Sequence, residues 1–376
     1  MKKSTIISAL IISLLILTTS YASIAPEEEW NRTYGGESFD YAYSVLQTSD
    51  GYIIAGVTTS YGSGKEDAWV IKTDSEGNEI WNRTYGGILE DAAYSIIQTS
   101  DGGYIIAGHS KSFGREKDVW LLKIDSEGNE EWNRTAGLYF DVLRLIYETS
   151  DGGYIIAGEV YELRYSDILL IKFNSEWEGE WNMTLGGSLG EYAHTILQLE
   201  DGYIIAGNKW DYNKERHYAW MMKTDSEGNG EWNRTFGGPE LDVFTSVKQT
   251  SDGFIIAGFK SSSGNGREDV WVIKTDSEGN EIWNRTYGGI LEDAAYSIIQ
   301  TSDGGYIIAG HTRSESHGIF PDAWLIKLSR EKELTDKIPQ NNNTSPSESD
   351  TESPGFEVFA FFFSMILTLI LLRRKK

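Results

Sequence analysis

From Glu27 to Leu328 the chain alternates short apolar runs with clusters of Gly, Asp, Asn and Ser. The runs are rich in β-branched and aromatic residues, and none shows a 3.6-residue period. That pattern predicts strands throughout this span and no helix. The tryptophans set the ruler. Trp30, Trp81, Trp132, Trp181, Trp232 and Trp283 recur at spacings of 51, 51, 49, 51 and 51 residues.

Each interval holds four strand-like segments in one order. Strand A reads like Ala93-Tyr94-Ser95-Ile96-Ile97-Gln98, and strand B like Tyr104-Ile105-Ile106-Ala107-Gly108. Strand C reads like Asp118-Val119-Trp120-Leu121-Leu122-Lys123, and strand D like Trp81-Asn82-Arg83-Thr84. Ser100-Asp101-Gly102-Gly103 and Asp125-Ser126-Glu127-Gly128-Asn129 separate them as tight turns, in which Gly supplies positive φ and Asp bonds nearby backbone. Four-stranded units at this period mean a β-propeller.

Six A-B-C sets begin near Tyr41, Ala92, Val142, Tyr192, Val243 and Ala294. The D strands are out of phase with them. The first, at Trp30, precedes every A strand, and the last C strand, Asp322 to Leu328, has no D strand after it. We therefore expect an all-β, six-bladed propeller over residues 27–329, closed by the N-terminal D strand completing the last blade. Such closure leaves no loose sheet edges. An open solenoid would need capping units, which neither end supplies. The repeats lie near 30–80, 81–131, 132–180, 181–231, 232–282 and 283–329, and Trp69 to His109 is identical to Trp271 to His311.

Charge and composition narrow the function. With 57 acidic against 33 basic residues the net charge is −24, which argues against a nucleic-acid partner, since phosphate contacts need clustered Lys and Arg. The absence of cysteine excludes disulfides, Cys-based zinc sites and a thiol nucleophile. Thirteen Trp, 21 Tyr and 14 Phe argue against disorder of the whole chain.

The two ends predict the compartment. Lys2-Lys3, an apolar run from Ile6 to Leu17 and small residues up to Ala22 are expected to form a secretory signal peptide over residues 1–22, with a short uncleaved membrane anchor as the other reading. Residues 330–353, rich in Ser, Asn, Thr, Pro and Glu, are expected to be a disordered tether. An apolar stretch from Val358 to Leu372 and the cations Arg373 to Lys376 follow Pro354-Gly355-Phe356. This tripartite order resembles the PGF-CTERM sorting signals of archaeal surface proteins. The resemblance implies that residues 354–376 are removed by an archaeosortase, a sorting peptidase, and replaced by a lipid. A plain single-pass transmembrane anchor is the other reading. Both expect the protein on the extracellular face of the cell membrane.

The units also resemble secreted bacterial and archaeal propeller repeats, marked here by W-x-x-T-Y-G-G, Q-T-S-D-G-G-Y-I-I-A-G and D-x-W-x-I-K-T-D. The Gly-Asn-x-x-Trp hairpin is similar to the C–D turn of quinoprotein-type propellers. These resemblances imply a fold more firmly than an activity. Units three and four depart most, with Leu169 in place of Trp, Ala136 in place of Tyr and Tyr218 in place of the Asp that opens strand C.

Repeated residues form rings, and rings are first structural. Lys72, Lys123, Lys172, Lys223, Lys274 and Lys327 are expected to pack their stems along the blade and pair with carboxylates. Asp40, Asp91, Asp141, Glu191, Asp242 and Asp293 open strand A. They are read as local Asx turns, or alternatively as a ring at one channel mouth that could hold Ca²⁺, the one cofactor considered. Asn31, Asn82, Asn133, Asn182, Asn233 and Asn284 each begin an Asn-x-Thr sequon, and Asn342 and Asn343 begin two more in the tether. In a secreted glycoprotein these are acceptors, unless the motif is a copied packing device.

Catalysis finds little support. The five histidines have no metal-binding spacing, and no Gly-x-Ser-x-Gly or phosphate loop occurs. An asymmetric site should break the repeat. The breaks are Arg144, Glu148, Tyr161, Arg164, Trp177, Trp210, His217 and Tyr218, a candidate ligand face for carbohydrate or protein. The leading expectation is a non-catalytic surface propeller serving adhesion, envelope or surface-layer association, or ligand binding. A secreted polysaccharide hydrolase or lyase using units three and four is the alternative, and a quinone-dependent dehydrogenase is a distant third.

Overall fold

The computed structural model describes residues 23–333, apart from 115–117, 137–141, 149–151, 163–164, 177, 186–190, 212–215, 226–228, 239 and 262–266. The expected signal segment, the expected sorting signal and residues 334–353 of the expected tether lie outside the described residues; residues 330–333, expected as tether, instead carry a short strand, Lys332–Glu333, of the folded unit. The fold is all-β, with six sheets of four antiparallel strands. Blade one runs A (Asp40–Thr48), B (Gly51–Thr58), C (Asp67–Asp74) and D (Glu79–Tyr85). The other A strands are Asp91–Gln98, Val142–Glu148, Glu191–Gln198, Asp242–Thr250 and Asp293–Gln300. Each touches the A strands of both neighbours in a closed circuit, so strand A is innermost.

Closure is as the out-of-phase D strand requires. Blade six consists of Asp293–Gln300, Tyr306–Thr312 and Asp322–Leu328, with Glu28–Tyr34 as its outer strand. Trp30 lies opposite Lys327 and Tyr34 opposite Ala323. The chain ends then rebuild the missing C–D turn. Ser329 N–H donates to Glu27 O at 2.8 Å, and Ser23–Ile24 pairs antiparallel with Lys332–Glu333. The described fold thus reaches a few residues beyond 27–329 at each end.

The cores lie between blades, not within them. One cluster joins Ile53, Ala55 and Val70 of blade one to Ile96, Ile106 and Trp120 of blade two. Five comparable clusters serve the other junctions. Alternation explains this: both faces of each sheet meet a neighbour, so the central strands are apolar on both sides. Strand B of blade one is buried along its whole length. At the hub, serines stitch the A strands together. Ser297 Oγ accepts from Val45 N–H (3.4 Å), Ser44 Oγ from Ile96 N–H (3.3 Å), and Ser95 Oγ from Ile146 N–H (3.1 Å).

The C-strand lysines behave as expected. Lys274 Nζ meets Asp252 at 2.5 Å, Lys223 meets Asp201 at 2.7 Å, and Lys327 meets Asp303 at 2.9 Å. Their stems are covered by the next strand while the heads reach carboxylates of the A–B turns. The Asp101 carboxyl is pulled down to about 2 by the Thr99 hydroxyl, the Gly103 N–H and the Lys123 ammonium.

Candidate functional site

Antiparallel order places the D–A and B–C loops at one end of the ring and the tight A–B and C–D turns at the other. The acids that open strand A stand at the loop end. Asp40, Asp91, Asp242 and Asp293 are all fully buried. Each is held by its own loops. Asp91 Oδ2 accepts from Gly87 N–H (2.8 Å) and Ser112 Oγ (2.5 Å), and its Oδ1 accepts from Ser110 Oγ (2.5 Å). Asp293 repeats this with Gly289 N–H (2.8 Å), Ser314 Oγ (2.6 Å) and Thr312 Oγ1 (2.5 Å). These carboxylates tie the D–A loop to the B–C loop, which is the local turn role. Asp141 lies outside the described residues, and so does the side chain of Glu191. Among the described residues no group of three or more His, Asp or Glu side chains could hold a metal ion.

A second ring went unread in the sequence. Every A strand carries a bulge three residues after the acidic position that begins its segment, where one residue has no partner on strand B: Tyr43, Tyr94, Arg144, His194, Thr245 and Tyr296. A bulge on an inner strand re-aims a side chain, and such features cluster beside functional sites. The ring is not symmetric. Tyr43 touches Tyr94 (centroids 5.2 Å apart) and Tyr296 (4.9 Å), forming an aromatic wall across blades six, one and two. Burial pushes the Tyr43 hydroxyl well above the ordinary tyrosine range, with the neighbouring Tyr296 and Tyr94 adding to it. Thr245 instead donates to Ala295 O at 2.8 Å and closes the junction of blades five and six.

Blade four is different again. His194 Nε2 donates to Asn208 Oδ1 at 2.7 Å, and Asn208 Nδ2 donates to His217 Nδ1 at 3.2 Å. Trp210 packs on His217 with ring centroids 4.5 Å apart. Asn208 and Trp210 lie on strand B (Gly202–Asp211), and His217 and Tyr218 on strand C (Arg216–Asp225). Burial lowers the His217 pKa, favouring the neutral ring that accepts from Asn208. A polar relay therefore runs from the inner strand to strands B and C of blade four. Of the candidate ligand face, the structure unites Trp210 and His217, with Tyr218 next in sequence. Arg144 and Glu148 occupy the inner strand of blade three and Tyr161 its strand B, their side chains outside the described residues. Arg164 and Trp177 also lie outside them. The sequence signal for His194 was its place, for it stands where three other units carry Tyr.

The loop end is also apolar. Among the described residues, nine of the eleven exposed large apolar side chains lie on D–A or B–C loops, among them Ile88 and Ile290 (79% exposed), Ile319 (77%) and Phe113 (45%). Scattered exposed hydrophobics are ordinary, but their concentration at the loop end sets that face apart from the turn end.

Three of the sequon asparagines, Asn31, Asn82 and Asn284, sit in a structural clamp. Trp69 Nε1 donates to Asn82 Oδ1 (3.2 Å) while Asn82 Nδ2 donates to Glu79 (2.6 Å). Trp324, Asn31 and Glu28 repeat this clamp at 3.3 and 2.7 Å. The amide nitrogen that would carry a sugar is thus already a donor. Asn342, Asn343 and Pro354-Gly355-Phe356 lie outside the described residues.

No family model matches the chain, and no curated protein sequence does. Solved structures do. A Dyadobacter fermentans protein of unknown function aligns with a TM-score of 0.53 at 11% identity, over 80% of this chain and 99% of that one. A putative oxidoreductase (glucose dehydrogenase) from Thermus thermophilus aligns at 0.48 and 11% identity, over 79% and 99%. A Xanthomonas campestris gluconolactonase aligns at 0.44 and 9% identity, over 81% and 97%. At such identities the likeness is one of fold: this chain is a repeat-built β-propeller.

Proposed function

We propose that the chain is a non-catalytic cell-surface propeller whose D–A and B–C loop face binds a carbohydrate or protein ligand of the cell envelope. The observation that carries this reading is the gathering of exposed apolar side chains on that face, beside the Trp210–His217 patch, in a chain of net charge −24. A strongly acidic surface keeps a protein soluble and repels like-charged neighbours, so apolar side chains kept exposed on one face need another reason. The signal-like N-terminus and the PGF-type C-terminus support an outward-facing, tethered location. This reading does not need the D-strand sequons to be modified, and Asn31, Asn82 and Asn284 already serve the Trp–Asn–Glu clamp.

Glycan-array and envelope-extract binding by the full-length protein tests it, with Trp210→Ala as the comparison. Saturable binding without turnover, weakened at least tenfold in Trp210→Ala at an unchanged melting temperature, supports the reading. Release of reducing ends from a polysaccharide would replace it with the hydrolase or lyase reading.

A further inference from the structure

Lys248 lies on the innermost strand of blade five, opposite the fully buried Ile255. The same register position holds Leu46, Ile97, Tyr147, Leu197 and Ile299 in the other blades. Four of those, Leu46, Ile97, Leu197 and Ile299, pack against the inter-blade cores. One lysine thus interrupts an apolar ring around the axis. Its side chain is exposed, and because strand A is innermost that exposure is toward the axial channel.

The amine also differs from the C-strand lysines. Lys72, Lys123, Lys223, Lys274 and Lys327 each meet an Asp of an A–B turn. Lys248 has no hydrogen bond or ion pair with any described residue. Crowding by surrounding atoms lowers its pKa, and no carboxylate acts to raise it again. Among the described residues nothing supplies the amine with a counter-charge. An exposed lysine on an outer strand would need no account, since bulk water solvates it. On the hub strand, among apolar neighbours, an unpaired ammonium costs stability that Leu or Ile would not. Sites that break the local rule in this way are where function is found.

We propose that Lys248 is the anchor of an anion site in the axial channel, and that its ligand presents a single carboxylate. One amine, with no second cation joined to it among the described residues, matches a monoanion better than a phosphate dianion. The apolar ring would line the rest of the ligand. Gln198, Gln249 and Gln300, one residue further along their strands, supply exposed amide groups at the same end of the channel. The carboxylate could belong to an alkyl acid or to a sugar acid. This site is separate from the loop face proposed above and stands or falls without it.

Calorimetry on the full-length protein tests the proposal with four probes: hexanoate, glucuronate, hexanol and glucose. Lys248→Leu is the variant to use, since it restores the residue of blades one and four and should fold. Lys65→Met, at a 77% exposed lysine 4.0 Å from Glu90, is the control. We expect hexanoate or glucuronate to bind and the neutral probes not to, with affinity falling at least tenfold in Lys248→Leu and unchanged in Lys65→Met. Whichever acid binds identifies the source. The Lys248 ammonium, followed by nitrogen NMR, should titrate below the ordinary lysine range and move upward when the acid is added. Absence of carboxylate binding, equal binding by Lys248→Leu, or an ammonium that ignores the acid would overturn the proposal.

Discussion

Residues Trp69 to His109 and Trp271 to His311 are the same sequence in two places, one crossing from blade one to two and the other from blade five to six. Their internal bonds are reproduced closely. Trp69 Nε1 reaches Asn82 at 3.2 Å and Trp271 Nε1 reaches Asn284 at 3.4 Å. Gly87 N–H and Gly289 N–H both donate to the following Asp at 2.8 Å. The surroundings differ. Tyr85 donates to Gly128 O at 2.6 Å and Arg83 to Glu127 O at 3.1 Å, both in the next blade's C–D turn. In the second copy that turn does not exist. Tyr287 (3.3 Å) and Arg285 (2.9 Å) both donate to Pro26 O at the chain's beginning. The repeated segment therefore keeps its internal bonds in both places, and the only polar demand its D-strand Tyr and Arg make on the next blade is backbone carbonyl oxygen at that one place. A continuous turn and a pair of chain ends meet that demand equally.

Removing the chain end should break the comparison outright. Deleting residues 23–34 takes away the outer strand of blade six, Pro26 and the core residue Tyr34, and uncovers its core neighbours Leu325 and Ile307. An unpaired edge strand invites association with other chains. We expect no cooperative thermal transition and soluble aggregates by size-exclusion chromatography. A monomer that still melts sharply would show that closure is dispensable.

A smaller effect separates turn geometry from docking. Gly77 and Gly102 both hold positive φ, at 77° and 86°. A Cβ on Gly77 would stand 2.7 Å from the Trp30 ring, whereas nothing lies within 4 Å of one on Gly102. Gly102→Ala should cost about 1 kcal/mol from backbone strain alone. Gly77→Ala should cost roughly 2–4 kcal/mol, because the closing tryptophan must also move. Equal losses in chemical denaturation would mean that Trp30 does not seal the ring at this turn.

What the sequence made legible follows from periodicity. Strand order, blade count and the out-of-phase D strand are all statements about spacing, and the A strands begin within a residue or so of the expected positions. The site was less legible, because alternation says which face a residue takes but not what waits there. Asp40 and its equivalents sit at the channel's loop end, yet their oxygens turn to Ser, Thr and Gly donors of their own loops. The Asn-x-Thr motif conceals a clamp whose other members, a Glu three residues earlier and the C-strand Trp, were visible in each regular unit. The bulge that aims Tyr43 and His194 needs strand register, which no period reveals.

The two histidine copies carry the comparison to its finest point. His311 stands between Tyr41 (4.9 Å) and Tyr296 (5.5 Å), because blade one brings a tyrosine to the junction. His109 touches Tyr94 at 5.4 Å, and the residue equivalent to Tyr41 on its far side is Val142. Burial pushes His311 down to about 4 from 6.5, although Asp293 and Glu292 act to raise it. Above pH 6.5 the ring is neutral in both folded and unfolded chains. As pH falls through that value the unfolded chain takes up a proton that folded His311 refuses until about pH 4. Stability from this residue is thus complete above pH 6.5 and drains away on acidification to about 4, by on the order of 3 kcal/mol. Melting temperature measured across that interval should fall for the native protein and fall less for His311→Phe, which keeps the aromatic packing without the proton site. A slope unchanged by the substitution would assign the acid sensitivity to other groups and leave the copies energetically alike.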